Sequence, residues 1–345
     1  MKKITLGCSV IVAAALFIVG CNKKTNTAPV ADMEFQSSKD AAYATSVVTD
    51  MEIICSYMGE NLLTSAYLTQ APGSAPGSTI TTSRDTALKV LQINFTNSVT
   101  CKDGKKRNGT ITINYSASNN AYGAKFYHDA GFKANVTLNN YEVDGWLIDD
   151  VTPFVITNNL PFGYNPVSDK LNWTLDGNIT IKNIADSSLN MAWKGKLIKT
   201  LTNTSTSSIF AVNKLSPINW VHYDLITGQA TDGAKVEYKG VISSPSVQIT
   251  GVTSRTTTYS LSIKDDQPLY RDFTCAPDKV IGVITSTSAP IPVYSEWHPF
   301  IKGTASFTTG TLPDARLIDF GDDGSCDNAG TVTIKGISYP IDFKK

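Results

Sequence analysis

Apolar and polar residues alternate with period two through LKVLQINF, GTITINYS, KANVTLNN, KLNWTLDGNITI, TYSLSI, ARLIDF and GTVTIKG, and clusters of Asn, Gly, Asp or Pro separate these runs. Such alternation predicts half-buried strands joined by turns. Ahead of them the period changes. Ala44, Val47, Val48, Met51, Ile54, Cys55 and Met58 recur at steps of three and four, which predicts one helix over 38–60, with Ser38 as its cap, Asp40 in its first turn and Gly59 as its stop. Its single apolar stripe, with Val47, Met51 and Ile54 at the centre, needs a sheet face to pack on. Between helix and strands, 61–87 contains a duplicated APGS and reads as a Pro/Gly/Ser/Thr-rich loop. No helical run separates the later strands, so parallel βαβ units are not expected. The prediction is a mainly β chain: a large antiparallel β meander or sandwich over 88–345, with one N-terminal α-helix packed on it.

One pattern occurs twice. Ile93, Phe95, Cys101, Gly109, Thr110, Ile111, Thr112 and Ile113 align with Ile318, Phe320, Cys326, Gly330, Thr331, Val332, Thr333 and Ile334, with a single four-residue gap after the cysteine. Each copy reads as a β-hairpin with the cysteine at its connection, one opening the β region and the other closing it.

The first twenty residues combine a basic start, Lys2 and Lys3, with an apolar stretch from Val10 to Val19. That is the pattern of a secretory signal, and the stretch is shorter than the ~20 residues a membrane-spanning helix needs. Ile18-Val19-Gly20-Cys21 resembles the lipobox of bacterial lipoproteins, in which the cysteine is acylated and becomes the first residue. Residues 21–37 then read as a flexible tether. Without the signal the chain carries 28 basic against 30 acidic residues, so it has no positive excess with which to bind nucleic acid. Only six residues are Glu, and Ser, Thr, Asn and Gly are abundant, which favours strands and turns.

Once Cys8 is removed and Cys21 acylated, Cys55, Cys101, Cys275 and Cys326 remain. An even number in an exported protein predicts two disulfides. Spacings of 46 and 51 residues suggest Cys55 with Cys101 and Cys275 with Cys326, each a clasp on one side of the β region. Pairing Cys101 with Cys326 is the alternative, and would draw the two hairpins together.

Signals for chemistry are sparse. The three histidines, His128, His222 and His298, each stand beside an aromatic residue and have no paired-ligand spacing. No nucleophile elbow, phosphate loop or dinucleotide fingerprint occurs, and no cofactor is expected. Asp319, Asp322, Asp323 and Asp327 are candidate calcium ligands, although they lack the DxDxDG order and the first copy of the repeat does not share them. Trp173 and Trp193 alternate in phase with apolar neighbours and are assigned to the core. Trp146, which follows Glu142 and Asp144 at even spacing, is the candidate exposed platform for a ligand. Asp85-Thr86-Ala87 resembles the O-glycosylation signal of Bacteroidetes-type exported proteins, making Thr86 a candidate acceptor.

The lipobox, the DAAYATSVVTDM helix after a polar tether, the INF and IDF strands with their cysteine turns and the terminal CDNAGTVTIKG together resemble uncharacterised Bacteroidetes-type envelope lipoproteins. The resemblance implies a helix followed by a large antiparallel β domain and no particular activity. The functional expectation is a lipid-anchored envelope protein, attached through Cys21, that serves as a non-catalytic binding or structural module for an envelope glycan or protein. An envelope hydrolase acting on glycans or peptides and a lipid-binding carrier are the alternatives. Asn22-Lys23-Lys24 lacks the acidic residues that mark surface export in such lipoproteins, which points to the periplasmic face of the outer membrane.

Overall fold

A computed structural model describes residues 34–59, 68–118, 124–127, 129–161, 172–202, 223–224, 229–230, 235–240, 249–264, 266–272, 280–284, 291–294, 300–312, 314–321 and 327–343. The period-three stretch forms helix α1, Gln36–Gly59. Strands follow: β1 Thr79–Asp85, β2 Val90–Thr100, β3 Lys106–Asn114, β4 Lys133–Val143, β5 Trp146–Asn158, β6 Asn172–Asn183, β7 Asn190–Thr202, β8 Tyr223–Asp224, β9 Gln229–Ala230, β10 Lys235–Gly240, β11 Ile249–Val252, β12 Thr258–Ile263, β13 Leu269–Asp272, β14 Val280–Ile284, β15 Ile291–Tyr294, β16 Thr304–Thr309, β17 Arg316–Asp319, β18 Ala329–Ile334 and β19 Ile337–Asp342.

Among the described residues, fifteen of these strands form one antiparallel sheet that runs from β1 at one edge through β2 to β7, then β11, β12 and β16 to β18, and ends at β19. Strand β10 pairs with β7 beside β11, and β13 pairs with β10. Among the described residues the fold is therefore mainly antiparallel β with one helix, as the periodicity predicts. One strand boundary differs. Strand β1 lies inside the segment 61–87 that composition marks as loop. Its TITTSRD sequence is polar enough to read as a connection, yet its β-branched residues suit an edge strand, where only one side is paired.

The two copies of the repeat are the hairpins β2–β3 and β17–β18, and their registers agree. Ile93 pairs with Ile111 and Asn94 with Thr110; the aligned residues Ile318 and Val332, and Asp319 and Thr331, pair in the same way. Each hairpin lies one strand in from an edge of the sheet. The aligned glycines share a steric reason. A Cβ on Gly109 would come within 1.9 Å of the Asn140 carbonyl oxygen, and one on Gly330 within 2.3 Å of the Phe343 ring.

The connections sort into two ends of the sheet. At one end they are short: 101–105, 144–145, 184–189, 253–257, 310–315 and 335–336, two to six residues each. At the other, the strand ends are joined by 86–89, 115–132, 159–171 and 320–328, four to eighteen residues each, while β10 and β13 intervene in the chain between β7 and β11 and between β12 and β16. The short end forms a continuous rim. Asp144 N donates to Lys106 O, and Ile184 N to Gly145 O. Register then sets 253–257 beside the start of β7 and 310–315 beside the start of β12.

The helix departs most from expectation. It does not lay one stripe on a sheet face. All its residues except Gln36, Lys39 and Tyr43 are buried, polar ones included. Its contacts come from strands remote in sheet order: Arg84 of β1 and Arg107 of β3, Lys199 of β7, the β11–β12 turn and Arg316 of β17. The sheet therefore curls around the helix. Hydroxyls on the helix satisfy themselves by bonding to carbonyls one turn back, as Thr45 does to Ala41, Thr49 to Thr45 and Ser56 to Ile53. The cap lies earlier than expected as well. Glu34 Oε1 accepts the Ser37 N–H at 3.1 Å, while Asp40 turns outward to the sheet.

Enclosure makes a clear prediction. Met51→Asp puts an unpaired charge into the centre of the molecule and is expected to lower the unfolding free energy by roughly 3–5 kcal/mol. Urea denaturation followed by tryptophan fluorescence measures it; an unchanged midpoint would mean that Met51 is not in the core.

Candidate functional site

The helix carries three buried carboxylates, Asp40, Asp50 and Glu52. Each meets a partner from the sheet, and two of these meetings form ionic centres in the interior.

The first centre is built by Asp50, the β2–β3 turn and the start of β3. Arg107, fully buried, donates in a fork to Asp103, Nη1 to Oδ1 at 2.7 Å and Nη2 to Oδ2 at 2.6 Å. Arg107 Nη2 also reaches Asp50 Oδ2 at 3.0 Å, and Lys105 Nζ reaches Asp50 Oδ1 at 2.8 Å. Two carboxylates and two cations balance. The fork is the geometry in which guanidinium and carboxylate interact most strongly. Burial pushes the Asp50 carboxyl up, but Lys105 and Arg107 together outweigh that and hold it down at about 2. Burial likewise opposes the Arg107 charge, which Asp103 and Asp50 restore.

A cavity of about 40 Å³ adjoins this centre, walled by Tyr43, Ser46, Asp50, Lys105, Tyr141 and Asp144. It has room for one or a few waters and is far below the ~300 Å³ of a typical small-molecule pocket.

The second centre joins Glu52 to β6, β7 and the β3–β4 connection. Lys199 Nζ lies 2.7 Å from Glu52 Oε1, both side chains being almost fully buried, and the Tyr127 hydroxyl donates to the same oxygen. The Tyr127 ring stacks on Trp173 at 4.9 Å, and the ammonium sits 5.2 Å and 5.1 Å from the two ring centroids. Trp173 Nε1 and Asn158 Nδ2 both donate to the Tyr127 carbonyl oxygen, at 3.0 and 3.3 Å. The desolvation of one lysine is thus offset by a carboxylate, a hydroxyl and two aromatic faces.

At the helix ends the same logic holds. Ser254, in the β11–β12 turn, donates N–H and O–H to Asp40 Oδ2 at 2.8 and 2.5 Å. Arg316 Nε donates to the Glu34 carbonyl at 3.0 Å. Arg84 Nη2 donates to the Met58 and Gly59 carbonyls, at 3.1 and 3.3 Å, placing a cation on the negative end of the helix dipole.

The residues that sequence singles out fall elsewhere. Trp146 is 8% exposed and packs on Tyr43 with centroids 5.8 Å apart, so it is no exposed platform. The two-residue turn at Asp144 and Gly145, both at positive φ, resets the alternation and pairs Trp146 with the inward Val143. Trp173 and Trp193 are core, as expected. Cys55 and Cys101 are free and buried, which overturns their predicted disulfide. Cys101 belongs to the first centre, where burial raises its thiol to about 12 against the partial opposition of Arg107; burial and then Glu52 raise that of Cys55. Both are therefore inert thiols. Cys21, Cys275, Cys326, His128, His222, His298, Asp322 and Asp323 lie outside the described residues. Asp319 and Asp327 cap turns, accepting the N–H of Gly321 and of Ala329. Thr86 stands exposed in the β1–β2 turn, where Asp85 accepts the N–H of Ala87 and Leu88.

Comparison with protein-family models, curated proteins and solved structures found no match. Sequence reasoning missed Asp50, Glu52, Arg107 and Lys199, although the strands carry a signal for two of them. Lys199 falls in phase with Trp193 and Leu197, and Arg107 with Ile111 and Ile113, so each is a cation on a core face.

The lowered pKa of Asp50 gives a pH prediction. Its folded value lies below the unfolded value of about 3.9, so its stabilisation is complete above pH ~4 and is lost as pH falls toward 2. The loss attributable to this group is roughly 2–3 kcal/mol. Asp50→Asn should accordingly flatten the dependence of unfolding free energy on pH across that window. Parallel curves for variant and wild type would show that Asp50 is not held ionised by Lys105 and Arg107.

Proposed function

We propose that this chain is a lipid-anchored protein of the cell envelope, attached through acylated Cys21 at the periplasmic face of the outer membrane, whose β domain is a non-catalytic binding or structural module for an envelope glycan or protein. The observation that carries the reading is the occupied interior: helix α1 fills the concavity of the sheet with apolar side chains and paired charges. A lipid carrier needs that space for its ligand. A hydrolase of glycans needs two carboxylates on either side of a substrate, whereas Asp50, Asp103 and Glu52 are each engaged by a buried cation. The secretory signal and the lipobox-like Ile18-Val19-Gly20-Cys21 support the anchor. Two or three acyl chains, with each buried methylene contributing ~0.8 kcal/mol, make such attachment permanent.

The anchor is tested by detergent-phase partitioning of the protein expressed with its signal. The wild type should enter the detergent phase, and Cys21→Ala should remain in the aqueous phase. Aqueous partitioning of both would remove the anchor from this account.

A further inference from the structure

The rim of short connections is also where the chain enters the helix. Glu34 Oε1 lies 3.6 Å from Arg255 Nη1 in the 253–257 turn, the Glu34 carbonyl accepts from Arg316 at the start of β17, and Asp40 holds Ser254 in the same turn. Lys335, in the 335–336 turn, pairs with Asp314 of the 310–315 connection at 2.9 Å. The first described residue is therefore fixed at this end of the sheet by side chains from two neighbouring rim segments.

Twelve residues, 22–33, lie between Cys21 and Glu34. Fully extended, such a segment spans at most roughly 45 Å. Strands β5 and β7, of thirteen residues each, are about 40 Å long at 3.3 Å per residue. A bilayer holding Cys21 is thus within easy reach of the rim. To touch the opposite end it would need the tether stretched taut along the full height of the sheet. Exposed apolar side chains stand at both ends, Ile184 and Ile337 at the rim and Leu88 opposite, so the tether and not apolarity sets the direction.

We infer that the rim of short turns is the surface that faces the phospholipid bilayer, which leaves the end bearing Lys125 and Lys133 directed away from it. This rests on the anchor reading above. The rim is built for such a position. Its connections are short and tied to one another, whereas the opposite end carries the connections 115–132 and 159–171, and long connections are where proteins of fixed scaffold place their binding residues.

The test uses the acylated full-length chain reconstituted into phosphatidylethanolamine and phosphatidylglycerol vesicles, with Cys21→Ala protein mixed with the same vesicles as reference. A water-soluble amine-reactive reagent is applied briefly and labelling is read at each lysine by mass spectrometry. Lys335 should react severalfold more slowly in the anchored protein than in the reference, while Lys125 and Lys133 react equally in both. A variant with a long Gly/Ser insertion before Glu34 should recover the reference rate at Lys335 while still floating with the vesicles. Equal rates at Lys335 in a chain that floats, or protection of Lys125 and Lys133 instead, would overturn the orientation and leave the anchor standing. Failure of the acylated chain to float with vesicles would overturn the anchor, and the orientation with it.

Discussion

Each of the buried carboxylates on helix α1 must find a polar partner, because the sheet leaves almost none of the helix in water. Burying a single unpaired carboxylate costs several kcal/mol, and the helix carries three. The partners could not come from one strand. Asp50 takes Arg107 and Lys105 near the opening edge of the sheet, Glu52 takes Lys199 in its middle, and Asp40 takes Ser254 further on. Arg84 and Arg316 close on the carbonyls at the two helix ends from near opposite edges. Only a sheet bent around the helix brings all of them inward. The ionic centres lie where the curled sheet meets the helix, while the apolar residues between them supply the bulk of the burial.

This division explains what was legible in the sequence. Period two marked the strands and period three to four the helix, because those signals depend on apolar residues facing a core. Enclosure of the helix was hidden, since polarity stops marking exposure where a polar side chain can bond to its own backbone: Thr45, Thr49 and Ser56 look like surface residues and are core residues. Strand charges carried little signal in themselves. Of the consecutive cations Lys105, Lys106 and Arg107, the first and third reach Asp50 of the helix. Trp146 was lost to a turn. A two-residue connection shifts the alternation by one strand face, and counting residues across it gave the wrong side.

The repeated hairpin also gains a meaning from position. Both copies stand one strand in from an edge, keep the same pairing register and place a glycine where a side chain would strike the neighbouring segment. Their interiors differ. The first copy delivers Arg107 to the middle of the helix, whereas the second delivers Arg316 to the helix start. One hairpin design thus serves two attachments, the first of them through the Arg107–Asp50 ion pair rather than a disulfide. Held at both places, the helix fixes the short-turn rim to the point where the tether arrives.

Native-state hydrogen exchange tests the enclosure of the helix most directly. Amides between Ala44 and Met58 sit in a helix surrounded by sheet, so they should exchange only through global unfolding, with an opening free energy equal to that from urea denaturation and the same sensitivity to denaturant. Exchange of these amides through a smaller opening, insensitive to denaturant while the β3 and β7 amides stay protected, would show a helix that leaves the sheet without unfolding it, and would contradict the account.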